Sequence, residues 1–128
     1  MSTLHRIHSV FNAEFHIIAH KFVVLEVELS SLLSSKADFI YHPGVYVHYN
    51  KAEIIKVGRH LTNSRKRAYE HVQDGTQFEG FSMSSLKEDE SAGVVLINVV
   101  DPADYHWVAA VELFLEKALQ PRIKSKRS

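Results

Sequence analysis

The run AGVVLINVV, residues 92–100, is apolar except for Asn98 and has turn-forming residues before and after it. A strand of this kind buries both of its faces, so it has to lie inside a sheet that is covered on two sides. That requirement limits the chain to layered folds with helices packed on a sheet. The neighbouring segments can supply such layers. DPADYHWVAAVELFLEKALQP, residues 101–121, opens with Asp101 before Pro102 and stops at Pro121, which predicts a helix with Trp107, Val108, Val111, Leu115 and Leu119 as its packing stripe. LTNSRKRAYEHVQDG, residues 61–75, predicts a second helix, capped by Thr62 or Asn63 and ended by Gly75.

Upstream, β-branched and aromatic residues from Phe39 to Tyr49 and from Glu53 to Val57 flank NKA, which predicts a hairpin. Strand alternation puts Gly44, Tyr46 and His48 on one face, and a loop of three or five residues sets Tyr46 across from Lys56. Residues 11–33, FNAEFHIIAHKFVVLEVELSSLL, place apolar side chains at helical spacing and predict a long amphipathic helix, although FVVLEVEL also satisfies a strand template. Residues 76–91 read as loop. The predicted class is α+β: a small three-stranded antiparallel sheet flanked by helices, plus an N-terminal helix. Residues 1–38 form the helical extension and residues 39–128 the remainder of a single compact unit.

Composition removes several function classes. With no cysteine there is no disulfide framework, thiol nucleophile or Cys-ligated zinc. No stretch reaches the roughly 18 apolar residues that a membrane-spanning helix needs, and the first residues lack a signal-peptide pattern, so a cytoplasmic location is expected. Net charge is zero, yet Lys51, Lys56, Arg59, Arg65, Lys66 and Arg67 crowd one span opposed only by Glu53 and Glu70. That asymmetry predicts a local basic face suited to a polyanion.

Individual residues suggest chemistry only weakly. Arg67 and His71 project from one helix face a turn apart, joining a phosphate grip to a group able to move protons. Glu112 and Glu116 both lie among apolar neighbours, and periodicity does not separate them. His16 and His20 in HIIAH have the spacing of a zinc pair but no third ligand, so a surface or packed pair is expected.

PGVYVHYNKAEIIKVGRHLTNSRKRAYEHV, residues 43–72, resembles the core of the GIY-YIG nucleases. Gly44, Val45 and Tyr46 match the first motif, Val57 and Gly58 the end of the second, and Asn63, Arg67 and His71 the helix that follows. In that family the metal-binding Glu stands nine residues before a Pro, which selects Glu112 ahead of Pro121. The resemblance spans residues 39 to about 122 and implies a β-β-α-β-α core. It implies a DNA endonuclease in which Tyr46 and Lys56 activate water, Arg67 and His71 act on the phosphate, and Glu112 holds one Mg²⁺ or Mn²⁺. Arg59, Arg65 and Lys66 would line the DNA backbone.

Three departures stand out. Lys56 replaces the second-motif Tyr, as in some restriction endonucleases of the family. The Gly58–Arg67 stretch is one residue longer than in many members, and the Asn often found past the final Pro is missing. A binding module that kept this fold but lost its chemistry is the alternative. Pairing of two subunits through the N-terminal helix is a further expectation.

Overall fold

The computed structural model describes residues 2–125. Its order is α1 (Thr3–Phe15), β1 (Phe22–Glu28), β2 (Gly44–Tyr49), β3 (Ile54–His60), α2 (Ser64–Gln73), β4 (Gln77–Phe78), β5 (Phe81–Ser82), β6 (Gly93–Val99) and α3 (His106–Leu119). The fold is α+β, with an antiparallel sheet in the order β1-β6-β2-β3 and a separate β4–β5 pair. No helix among the described residues is long and apolar enough to cross a membrane.

The sheet has four strands where three were expected, because the predicted 11–33 helix ends at Phe15. A 3-10 turn, His16–Lys21, follows, and Phe22–Glu28 is extended. Val23, Val24 and Val27 are stiff at χ1 and suit a pleated surface. The register Phe22↔Val99 through Glu28↔Gly93 gives the segment a full ladder along β6. Those interstrand bonds outweigh the helical spacing that the same apolar residues also satisfy.

β6 therefore lies between β1 and β2, and every residue in it is buried. On one face of the sheet Val45, Val47, Val57, Val95, Ile97 and Val99 pack against Ile7 and Phe11 of α1 and Val108, Val111 and Leu115 of α3. The apolar stripe of α1 is thus used inside the chain. On the other face Tyr46, Val94 and Leu96 meet Ala68 of α2 together with Leu32 and Ile40. The segment before β2 turns through residues 39–42 instead of running as strand, so β2 starts at Gly44.

α2 starts where Asn63 accepts a hydrogen bond from the Lys66 amide. One residue on, buried Ser64 donates to Asn98 Oδ1 of β6 at 2.5 Å, and Asn98 Nδ2 donates to the Phe39 carbonyl at 2.9 Å. The one polar residue in the apolar run thus anchors α2 to the sheet. Asp101 caps the turn that leads into α3 by accepting from the Ala103 amide.

Candidate active site

β2 and β3 supply the floor of the site. Their register pairs Tyr46 with Gly58 and His48 with Lys56. The expected Tyr46–Lys56 opposition is therefore off by two residues along β3. The loop holds four residues, Asn50–Glu53, drawn together by Asn50 Oδ1 accepting from the Ala52 and Glu53 amides, and a bulge follows at His48/Tyr49. Tyr46 and Lys56 still share the α2 face, but they are diagonal neighbours.

Gly58 has a specific task in this register. A Cβ there would overlap the Tyr46 ring at Cζ and Oη, so the ring lies flat across β3 only because position 58 has no side chain. We expect Gly58→Ala to expel the ring, cost about 2 kcal/mol of stability and break the hydrogen bond between Tyr46 and α2. A Tyr46 NMR environment and unfolding midpoint unchanged in the variant would count against this account.

From α2, His71 meets that ring: Tyr46 Oη lies 2.9 Å from His71 Nε2, and the other ring nitrogen, Nδ1, lies 2.7 Å from Thr76 Oγ1. Tyr46 is 3% exposed and His71 is also buried. Burial first, then the Lys56 and Arg67 cations and His48, hold His71 down to about 3, so the ring is neutral near pH 7. His48 is fully buried against Tyr46 and His71, with ring centroids 5.5 and 6.2 Å away. Its Nε2 donates to the Ala68 carbonyl at 2.9 Å, and its Nδ1 has no hydrogen-bond partner among the described residues. Burial, opposed by the Ala68 bond and aided by Lys56, lowers His48 to about 4.

Beside this cluster opens a cleft of about 520 Å³, with Lys56, Arg67, His71 and Thr76 in its wall. The segment after α3 closes one side, where the Ile123 amide donates to the Ile55 carbonyl and Ile123 and Lys124 reach the rim. Arg67 pairs with Glu70 at 3.4 Å, both side chains about 40% exposed, and an exposed pair of that kind holds an arginine weakly against a competing phosphate.

Glu112 approaches β3 from the α3 face. It is 1% exposed, and its Oε1 accepts from Arg59 Nη1 at 3.0 Å. Arg59 pairs with Val45 in register, which puts it on the α3 side of the sheet. The structure thus gathers Tyr46, Lys56, Arg67 and His71 on one face and brings Glu112 to the same strand from the other. Glu116 is half-buried and accepts from the Ser125 amide. Among the three expected backbone-lining cations, Arg59 is engaged by Glu112, and Arg65 donates to the Leu33 carbonyl at 2.8 Å and stacks on Tyr41. Lys66 is exposed.

The described residues contain no group of three or more His, Asp or Glu that could cage a metal. His16 and His20 fall in the 3-10 turn, both exposed. Glu112, the carboxylate that the resemblance assigns to a metal, is buried and engaged by Arg59, so it would have to exchange that bond and open to solvent to take an ion such as Mg²⁺, which keeps most of its waters. Sequence reasoning overlooked two residues in the cluster. Thr76 sits in an aperiodic stretch, and strand alternation put His48 on the face of Tyr46 without showing that the register sets it opposite Lys56. No family model, curated protein or solved structure matches the chain.

Proposed function

We propose that the protein is a GIY-YIG-type endonuclease that hydrolyses phosphodiester bonds in DNA with one divalent metal ion. The observation that carries this reading is the Tyr46–His71 hydrogen bond at 2.9 Å, beside a cleft whose wall presents His71, Lys56 and Arg67. Phosphodiester hydrolysis needs a group to take a proton from water and fixed positive charge where the phosphate oxygens gain negative charge. Tyr46 takes the first task with Lys56 as the cation beside it, or a neutral Lys56 takes it instead; Arg67 in the cleft wall serves the second.

Arg67 leaves its exposed partner Glu70 and donates to the non-bridging oxygens, where a planar guanidinium binds two oxygens at once. His71, held neutral in the free protein, lines the cleft and holds the Tyr46 oxygen through its Nε2. Glu112 would hold Mg²⁺ or Mn²⁺ on giving up its bond to Arg59, and the ion would supply Lewis-acid chemistry at the edge strand β3, which Glu112 meets from the sheet face opposite Arg67. Exposed Lys66 and the rim residue Lys124 are available to DNA phosphates and would make affinity fall with salt.

Incubation of the purified protein with supercoiled plasmid in Mg²⁺, Mn²⁺ or EDTA tests this. Metal-dependent nicking or linearisation is expected. A plasmid left intact with both ions, while a gel shift still forms, would overturn the hydrolase reading and leave a nucleic-acid-binding module.

A further inference from the structure

His71 is hydrogen-bonded through both ring nitrogens to hydroxyl groups, and a neutral imidazole has one N–H and one lone pair to divide between them. The two hydroxyls differ in acidity. A phenol is a far stronger proton donor than an aliphatic alcohol, so the bare nitrogen is best spent on Tyr46 and the N–H on the threonine oxygen. The turn after α2 supports that division. Gly75, at φ +67°, reverses the chain, and the Thr76 amide donates to the His71 carbonyl at 3.0 Å, fixing the Thr76 backbone beside the ring it serves.

We infer that Thr76 is a positioning residue that accepts the Nδ1–H of His71 at 2.7 Å, which locks the tautomer whose bare Nε2 receives the Tyr46 hydroxyl proton. This rests on the endonuclease reading for its purpose, although the tautomer itself does not depend on it. Burial and the neighbouring Lys56 and Arg67 cations keep the ring neutral in the free protein. A phosphate in the cleft offsets those cations, the lesser cause, and so lowers the cost of moving the proton onto the ring. The Tyr46 O–H bond breaks as a bond forms at His71 Nε2, the phenolate takes a proton from the attacking water, and Nδ1–H of the resulting imidazolium stays bonded to Thr76 Oγ1. The arrangement follows the logic of a hydroxyl–histidine–orienter triad, with an alcohol oxygen as the orienter.

Long-range ¹H–¹⁵N NMR of the histidine rings tests this in free protein, with no substrate or metal. Wild type is expected to show His71 protonated at Nδ1 and bare at Nε2. Thr76→Val, close in shape, should move the proton toward Nε2, and Thr76→Ser should restore the wild-type pattern. Plasmid cleavage should fall roughly a hundredfold in Thr76→Val and recover in Thr76→Ser. An Nε2–H tautomer in wild type, or an unchanged tautomer in Thr76→Val, would overturn the inference. Should Thr76→Val fail to fold, the wild-type spectrum decides alone. Absence of wild-type cleavage strikes the endonuclease reading, whereas the wrong tautomer strikes Thr76.

Discussion

Glu112→Gln should reduce plasmid cleavage by about three orders of magnitude while DNA binding by gel shift stays close to wild type. The size follows from removing a charged group from a buried site that acts on developing phosphate charge, where single groups are worth 10²–10³-fold and a metal adds to that. Glutamine keeps the volume at a position that is 1% exposed and can still accept from Arg59, so the α3 packing survives. The Arg59 side chain is one-third exposed, so water can compensate the cation left behind. Tyr46→Phe should be nearly as damaging, and Lys56→Met distinguishes between the two candidate bases. Loss in Tyr46→Phe with only a modest decline in Lys56→Met assigns the proton to Tyr46; the reverse assigns it to Lys56. Full cleavage in Glu112→Gln would remove Glu112 from the metal.

The sequence made the interior of the fold more legible than its edges. Two-sided burial of β6 followed from a composition apolar but for Asn98, and the start of α2 was narrowed to Thr62 or Asn63, because both signals are local. β1 was obscured because FVVLEVEL fits a helical stripe and a strand equally well. Only the ladder to β6, a contact between distant segments, decides between them. The Tyr46–Lys56 relation failed for a different reason: a four-residue loop and a bulge together shift the pairing by two residues, and no residue type in NKAEI announces the bulge. The pairing of Arg59 with Glu112 spans 53 residues and is invisible to any periodicity. Arg67 and His71 could be grouped from the sequence because they lie a turn apart on α2, just after its cap Asn63. Thr76 and His48 could not, since their roles depend on where the turn and the strand register place them.

Acid should unfold the protein well before its carboxylates are protonated in bulk, and His48 should account for much of the loss. A histidine held below its unfolded value of 6.5 binds a proton more readily in the unfolded chain, so acid favours unfolding. The stability tied to His48 is complete above about pH 6.5, declines as pH drops toward about 4, and changes no further below that; for His71 the window extends to about 3. At about 1.4 kcal/mol per pK unit, His48 alone represents on the order of 3 kcal/mol across its window, a large fraction of a small domain's stability. The cost arises because a protonated His48 would be a fully buried cation facing Lys56, and the Ala68 carbonyl that takes its Nε2–H offsets only part of that. His48→Gln retains a donor for Ala68 but cannot titrate. Urea unfolding between pH 4 and 7.5 should show wild-type stability falling steeply below pH 6.5 and a distinctly shallower fall in His48→Gln. Equal slopes in the two proteins would mean that His48 is already protonated, or solvated, in the folded state.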